Sequence, residues 1–254
     1  MEKCKICLSE RTVQLPPQPS GFYIYAACKD CGVIWAMDPS LEAISERYLD
    51  PNYVSERNKD YMSFGGHRAW KNSRLLFNSL LEKSGIADFE EFLGEKGYVL
   101  DVGCGEGDSM EVFRFRDWDV VGIDANPHLV EYGKSRGRDI QCLALEEASF
   151  AVGSYDMVFA SHIIEHLVDP MLLFRKSQEF LKSQGRLVIV TPVYAYFGDQ
   201  DHVFFFNQKN LEIVGDRGGF RLLSMITYED INPAHKHWCP DGVVNGFFTF
   251  EKKG

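Results

Sequence analysis

The stretch at residues 98–107 constrains the fold of this 254-residue chain more than any other. It reads YVLDVGCGEG, an apolar run around one acid that is followed by alternating glycines, Gly103, Gly105 and Gly107. The apolar part predicts a buried strand, and the apolar spacing over 108–116 predicts a helix. Glycine tolerates positive φ and lets a ligand approach the backbone closely. A strand, a glycine turn and a helix N-terminus in this order predict a nucleotide-type site.

A second strand over 119–123 runs into an acid, Asp124, and Asn126 and Pro127 then open another helix. An acid at the tip of the second strand is placed to accept hydrogen bonds from both hydroxyls of a ribose. The glycine spacing differs from the dinucleotide pattern G-x-G-x-x-G, and the chain has no Gly-Lys-Ser or Gly-Lys-Thr phosphate loop. The pattern therefore favours an adenosine-type ligand without phosphates.

With these motifs, residues 98–192 resemble a class I S-adenosylmethionine-dependent methyltransferase. The glycine turn matches the first motif of that family, Asp124 matches its ribose-binding acid, and 155–160 and 185–192 match its fourth and fifth strands. The resemblance implies S-adenosylmethionine as cofactor. It implies a cofactor-binding set of Asp101, Gly103, Cys104, Gly105, Gly107, Asp124, Ala125, Glu146 and Ser161.

The third motif departs from the family pattern. Family members often carry an acid or polar residue there that reads the adenine amino group, whereas this chain has Leu143 and Ala144. Backbone groups or Glu146 are the possible substitutes. The alternative for Glu146 is a solvated position at the start of a helix.

The order of strands and helical segments predicts an α/β fold. Strands at 98–102, 119–123, 139–143, 155–160 and 186–191 alternate with helical patterns, which predicts a doubly wound, mostly parallel sheet. Two further strands, at 220–227 and 247–252, resemble the antiparallel strands that complete a seven-stranded sheet in this family. We assign 86–254 to this methyltransferase domain and 39–85 to a helical linker and cap. The linker includes a helical segment over 41–64 and an amphipathic helix over 67–84.

Cysteines at the N-terminus have the spacing C-x2-C-x20-C-x2-C, formed by Cys4, Cys7, Cys28 and Cys31. Two such pairs are typical of a zinc ribbon, in which each pair gives two thiolates to one tetrahedral ion. Residues 1–38 are therefore predicted to be a zinc-ribbon-like module with short strands at 22–25 and 33–35, and structural Zn²⁺ would supply stability that so small a core lacks. The remaining cysteines are predicted to be core thiols, Cys104, Cys142 and Cys239.

Polar residues follow the fourth strand, where ligands of such sheets bind. His162, Glu165 and His166 lie in a loop whose Glu-His and Asp-Pro pairs resemble ubiquinone-pathway O-methyltransferases and many sugar or natural-product enzymes. His162 or His166 is a candidate base for a hydroxyl proton, because imidazole titrates near neutral pH. The alternative role for His166 is a structural hydrogen bond at a helix start.

A second polar cluster, at 199–207, contains His202, which we expect at the substrate site. Glu165, His166 and His202 together are suited to a divalent ion. The alternative for His202 is a hydrogen bond within its own loop. The catalytic set predicted from the sequence is thus His162, Glu165, His166 and His202.

The predicted function is methyl transfer to an oxygen or carbon of a small molecule, such as a sugar, a nucleotide sugar or another glycan precursor. An N-terminal cysteine pair before such a domain resembles sugar C-methyltransferases, although those carry a further C-terminal domain. One alternative is an RNA methyltransferase with the ribbon as its RNA module, but the ribbon has no basic excess and the fourth strand lacks an Asn-Pro-Pro-Tyr signature. A second alternative is a cofactor-binding scaffold without catalysis.

Charge and hydropathy limit the partners. The net charge of -10 disfavours a nucleic-acid partner, because phosphate contacts need clustered Lys and Arg. No apolar run approaches the ~20 residues that span a bilayer, and no signal-peptide pattern precedes Cys4. We therefore expect a cytoplasmic protein that does not bind membranes. The oligomeric state has no sequence signal.

Overall fold

The computed structural model describes residues 2–17, 23–51, 97–193, 202–229 and 244–254. Within these ranges the strands are β1 Thr12–Gln14, β2 Tyr25–Cys28, β3 Ile34–Ala36, β4 Tyr98–Val102, β5 Asp119–Asp124, β6 Ile140–Cys142, β7 Tyr155–Ser161, β8 Leu181–Pro192, β9 Phe204–Phe205, β10 Phe220–Glu229 and β11 Val244–Lys252. The helices are α1 Leu41–Tyr48, α2 Met110–Arg114, α3 Pro127–Ser135, α4 Met171–Phe180 and α5 Gln208–Arg217, with a 3-10 turn at Ile164–His166. The amphipathic helix predicted at 67–84 lies outside the described residues.

The larger sheet has seven strands in the order β10-β11-β8-β7-β4-β5-β6. The five strands from β8 to β6 are parallel, and β11 and β10 are antiparallel additions at one edge. Two of these strands, β4 and β7, are central and almost wholly buried, as expected for strands of a parallel sheet covered on both faces. The doubly wound fold predicted from the sequence is therefore confirmed.

The chain order reverses between β4 and β7. From β4 the chain proceeds through β5 to β6 on one side, and it then returns to place β7 and β8 on the other side. Ligands of doubly wound sheets bind at the carboxyl ends of the strands beside such a reversal. The segments that follow β4, β5 and β7 meet at this point, and they contain the predicted site residues.

Helix α3 begins sharply next to this edge. The Asn126 side chain accepts hydrogen bonds from the backbone N–H groups of His128 (2.9 Å) and Leu129 (3.1 Å), and Pro127 occupies the first helical turn. An asparagine cap and a proline at this position favour helix initiation. The cap therefore fixes the direction of the chain directly after Asp124.

The N-terminal residues form a second, four-stranded sheet in the order β1-β2-β3-β9. Its last strand, β9, comes from the middle of the methyltransferase part of the chain. Sequence patterns did not predict β1 or β9, which have three and two residues. The ribbon and the larger sheet contribute side chains to one hydrophobic core, which includes Trp35, Phe204 and Leu100.

Some local predictions differ from the structure. Helix α2 is shorter than the predicted 108–116, because turns occupy the residues before Met110. Cys104 is buried as predicted, but the prediction of a core thiol at Cys142 is wrong, because Cys142 lies at the exposed edge strand β6. Within the ranges that the structure describes, no helix has the length and apolar character to cross a membrane.

Candidate active site

The glycine turn after β4 adopts backbone angles that favour glycine. Gly103, Gly105 and Gly107 have φ values of 67°, 57° and 89°. A Cβ atom on Gly103 would lie 2.4 Å from Cδ1 of Ile163, in the loop that follows β7. Glycine at this position therefore allows close approach of the two loops, as well as the left-handed backbone angle.

Asp124 ends β5 and has a buried carboxylate, 2% exposed. Its oxygens accept hydrogen bonds from the backbone N–H groups of Gly105 (2.7 Å) and Asn126 (2.8 Å). The hydroxyl of Tyr48 lies 2.8 Å from Oδ1 and 2.9 Å from Oδ2. The Asn126 side-chain amide also donates to the carbonyl oxygen of Tyr48. The end of helix α1 is thus held directly over the acid that the sequence assigns to ribose binding.

Asp101 lies behind the glycine turn. Its side chain is 1% exposed, and the Ser109 hydroxyl donates a hydrogen bond to it. Burial, aided by the charge of Asp124 and opposed by the Ser109 hydrogen bond, raises the pKa of Asp101 to about 7. These contacts show a bracing role between β4 and α2.

A buried arginine, which sequence patterns did not single out, supports the same turn from the loop between α3 and β6. The guanidinium of Arg138 donates to the carbonyl oxygen of Glu106 (2.6 Å) and to the carboxylates of Asp108 (2.8 Å) and Glu111 (3.3 Å). Its side chain is 4% exposed. A charge so far from water needs partners of this kind, so the arrangement fixes the chain around the glycines.

A cavity of about 650 Å³ lies over these loops. This volume is within the range of about 300–1,000 Å³ that is usual for small-molecule sites. Among the predicted residues, its walls include Gly103, Cys104, Gly105, Asp124, Ala125, Glu146, Ser161, His162, His166 and His202. Asp101, Gly107 and Glu165 are not among the lining residues described; they lie behind or beside the walls.

The cavity also lies against a cluster of three histidines around one acid. Glu165, in the 3-10 turn after β7, is 2% exposed. Its Oε2 accepts a hydrogen bond from Oγ1 of Thr191 at 3.0 Å, and its Oε1 lies 3.2 Å from Nδ1 of His162. The rings of His166 and His202 lie 4.9 Å apart between centroids. The four residues predicted as catalytic are therefore brought together.

Burial and charge act on Glu165 in opposite directions. Burial disfavours the carboxylate, but the 3.2 Å contact with Nδ1 of His162 and the charges of His162, His166 and His202 outweigh it and lower the pKa of Glu165 to about 2. The side chain is therefore an anion at neutral pH. His162, at φ 52°, has a left-handed backbone that is uncommon for a residue with a side chain and often marks a functional site.

The same cluster has the composition of a cation site. Glu165, His166 and His202 each offer one ligand atom, and these atoms lie within 4.8 Å of one another. Imidazole and carboxylate donors suit Zn²⁺, Mn²⁺ or Fe²⁺, with the choice set by geometry. The donor set therefore fits a divalent ion beside the cavity.

The ribbon cysteines form a second such group. The Sγ atoms of Cys4 and Cys31 lie 3.7 Å apart, and those of Cys7 and Cys28 lie 3.4 Å apart. All four are free thiols and lie within 4.8 Å of one another. Tetrahedral zinc with Zn–S bonds of about 2.3 Å separates its sulfurs by about 3.8 Å, so the four thiols fit one zinc ion.

Residues 68–225 match the family described as methyltransferase domain, and this match covers more than half of the chain. The protein therefore belongs to that family, and its class is that of the S-adenosylmethionine-dependent methyltransferases with a Rossmann-like fold. The glycine turn, Asp124 and the sheet order are the features of this chain that carry the classification.

Curated relatives agree with this class, and solved structures share its fold. The chain is 32% identical over 150 residues to a ubiquinone/menaquinone biosynthesis C-methyltransferase of Citrifermentans bemidjiense, covering 54% of this chain and 62% of that relative. It is 25% identical over 164 residues to a ubiquinone biosynthesis O-methyltransferase of Coxiella burnetii, covering 55% and 68%. The fold also resembles the 1,6-didemethyltoxoflavin-N1-methyltransferase of Burkholderia thailandensis, with a TM-score of 0.54 and 16% identity over 89% of this chain and 98% of that one.

Proposed function

We propose that this protein transfers a methyl group from S-adenosylmethionine to an oxygen of a small-molecule acceptor. The observation that carries the proposal is one cavity whose walls include the glycine turn and Asp124, which we take as the donor end, and also His162, His166 and His202, which we take as the acceptor end. Methyl transfer needs a donor and an acceptor held in line. The two ends of the cavity are suited to these two partners.

At the donor end, the backbone of Gly103 and Gly105 allows close approach of the cofactor, and the Asp124 carboxylate accepts from its ribose hydroxyls. Ala125, Glu146 and Ser161 also line the cavity, and Ala125 and Glu146 are proposed to contact the adenine side. S-adenosylmethionine, when bound, supplies an already activated methyl group. The protein's task is therefore alignment and exclusion of water rather than activation.

At the acceptor end, His162 is the proposed general base. Glu165 is anionic and lies 3.2 Å from Nδ1 of His162, so it can hold that nitrogen as the N–H donor. Nε2 is then the atom that takes the acceptor's hydroxyl proton as the methyl group arrives. His166 is the other candidate base from the sequence, and its ring packs against His202.

A divalent ion held by Glu165, His166 and His202 is a second arrangement that the donor set fits. Such an ion would polarise the acceptor oxygen and lower the pKa of its hydroxyl group. Chelators that leave the ribbon zinc in place distinguish the two arrangements. They should reduce turnover if a divalent ion is used and leave it unchanged if His162 acts alone as the base.

Two acceptor classes are proposed for testing. Sugar and nucleotide-sugar hydroxyls follow from the sequence resemblance, and the names of the relatives point instead to ubiquinone precursors. The chain covers 62% of the first relative's length, so the relatives' substrates are not transferred directly. An oxygen acceptor is favoured because a candidate base, His162, lies beside three side chains that fit a divalent ion, and such an ion would bind the acceptor oxygen.

The Cys4, Cys7, Cys28 and Cys31 thiols are proposed to bind structural Zn²⁺. Backbone N–H groups of Cys7 and Asp30 lie 3.4 Å from the Sγ atoms of Cys4 and Cys28, respectively. Hydrogen bonds of this kind stabilise thiolates at a metal centre. The ion would hold together a ribbon whose strands have only three or four residues.

The proposal is tested with acceptor panels of nucleotide sugars, ubiquinone precursors and RNA, supplied with radiolabelled S-adenosylmethionine. We expect label in a small-molecule acceptor, and His162→Ala should abolish transfer while leaving S-adenosylhomocysteine binding intact. Label in RNA alone would support the RNA alternative. Tight cofactor binding with no transfer to any acceptor would favour the scaffold alternative.

A further inference from the structure

The N-terminal ribbon is joined to the active-site loop by a continuous sheet. Strand β3 of the ribbon pairs antiparallel with β9, with Ile34 opposite Phe205 and Trp35 opposite Phe204. Residue His202 lies directly before this pairing. The ribbon sheet therefore ends on the segment that brings His202 to the cavity.

A backbone bridge continues from this sheet to the acid of the site. The N–H of Ala36 donates to the carbonyl oxygen of Val203 at 2.8 Å, and the N–H of Val203 donates to the carbonyl oxygen of Glu165 at 2.9 Å. Val203 is the immediate neighbour of His202 and is fully buried. Two hydrogen bonds thus connect the ribbon, through the residue next to His202, to the turn that carries Glu165 and His166.

The two cysteine pairs also accept hydrogen bonds from residues that follow β9 in the chain. The Nζ of Lys209 donates to the carbonyl oxygen of Asp30 at 2.7 Å, and Nδ2 of Asn207 donates to that of Cys31 at 3.4 Å. Arg217, at the end of α5, donates to the carbonyl oxygen of Ile6 between the first cysteine pair. The cysteine pairs therefore hold both their own sheet and the segment after His202.

Aromatic packing completes the connection. Phe205 lies 5.6 Å from Tyr25 of β2 and 6.2 Å from His202, measured between ring centroids. Tyr25, Trp35 and Phe204 are fully buried in the core shared by the two sheets. A packed core has few alternative arrangements, so displacement of the ribbon strands is transmitted to β9.

We infer that the metal-loaded ribbon positions His202 in the active site. Its four cysteines fix β2 and β3, β3 fixes β9, and β9 sets where the His202 imidazole lies relative to Glu165 and His166. The ribbon that positions His202 lies more than 160 residues earlier in the chain. The role of His202 at the acceptor rests on the proposed function. The position of His202 relative to the ribbon does not depend on methyl transfer.

The test uses the full chain with its histidines isotope-labelled, compared by NMR between wild type loaded with one equivalent of zinc and a Cys4→Ser, Cys31→Ser variant that cannot hold the ribbon zinc, with no other divalent ion in either sample. The imidazole signals of His202 and His166 should move when the ion is removed, while that of His128 on α3 stays in place. S-adenosylhomocysteine affinity should change by no more than about twofold, since the hydrogen bonds described for Asp124 come from Tyr48, Gly105 and Asn126, which lie outside the ribbon. An unmoved His202 signal in zinc-free protein would overturn the inference.

A second comparison keeps the zinc in place, because removal of the ion can unfold the ribbon. Tyr25→Leu removes the ribbon ring that packs against Phe205 but keeps Phe205 itself beside His202, and Phe115→Leu is its control at a side chain that is 66% exposed. The zinc-loaded Tyr25→Leu protein should show a shifted His202 signal, and Phe115→Leu should not. Equal His202 signals in both variants would refute positioning through β9. Failure of S-adenosylhomocysteine to bind any form would count against the proposed function and leave the His202 result intact.

Discussion

Replacement of Tyr48 by phenylalanine is predicted to tighten cofactor binding. The Tyr48 hydroxyl donates to the Asp124 carboxylate, whose two oxygens lie 2.8 and 2.9 Å away. The same oxygens already accept from the N–H groups of Gly105 and Asn126. A carboxylate has about four acceptor positions, so two ribose hydroxyls can bind only if the Tyr48 hydroxyl withdraws.

The magnitude follows from that one hydrogen bond. A hydrogen bond to a charged group contributes about 1.5–3 kcal/mol after its exchange with water is counted. The lower end of this range is close to the ~1.4 kcal/mol that corresponds to about tenfold in Kd. Tyr48→Phe keeps the ring and removes only the competing donor, so S-adenosylhomocysteine should bind about tenfold more tightly.

Isothermal titration calorimetry of the wild type, Tyr48→Phe and a matched control gives the answer. Tyr132→Phe removes a hydroxyl near Arg136 on the outer side of α3, and its Kd should equal that of the wild type. An unchanged Kd for Tyr48→Phe would show that the hydroxyl does not compete with ribose. A weaker Kd would mean that Tyr48 itself holds the cofactor, and would refute the reasoning.

Three further predictions concern the loop around the cofactor. Gly103→Ala should lose stability and S-adenosylhomocysteine affinity, because the added Cβ would lie 2.4 Å from the Ile163 side chain. The control Gly137→Ala has φ 78° and no atom within 4 Å of the added Cβ, so its loss of stability in urea unfolding gives the cost of the backbone angle alone. The folded-state pKa of Asp101, about 7, lies above its unfolded value, so its contribution to stability declines as pH rises from about 4 to 7. In urea unfolding, Asp101→Asn should reduce the fall in unfolding free energy between about pH 4 and pH 7. An unchanged pH dependence would contradict the raised pKa of Asp101. Arg138→Gln should weaken binding through the loosened turn, and equal calorimetric Kd values for it and the exposed-site control Arg136→Gln would exclude that role.

Sequence patterns predicted the sheet well because its signals are local. The strands β4, β5 and β7 are mostly apolar, and β8 contains an apolar run at 187–190, as expected where both faces of a sheet are buried. The cysteine spacing likewise indicates a ribbon from the ligand chemistry alone. The acids and histidines at the strand ends were found because the ends of parallel strands meet at one edge.

Other features depend on contacts that a local pattern cannot carry. Tyr48 reaches Asp124 across 76 residues, from a short helix with no buried residue. Strand β9 has two residues and is defined only by its pairing with the ribbon. The burial of Arg138 depends on partners from α2 and the glycine turn, and the exposure of Cys142 depends on β6 being at the sheet edge. Each of these is set by tertiary packing.

Calorimetric titration with S-adenosylmethionine and S-adenosylhomocysteine tests the central claim most directly. The titrated protein should have an assayed zinc content, and Asp124→Asn should be compared with Asp119→Asn at the exposed start of the same strand. We predict micromolar binding by the wild type and Asp119→Asn, and none by Asp124→Asn. No binding by folded, zinc-loaded wild type, or equal binding by Asp124→Asn, would contradict the assignment of this cavity to the cofactor.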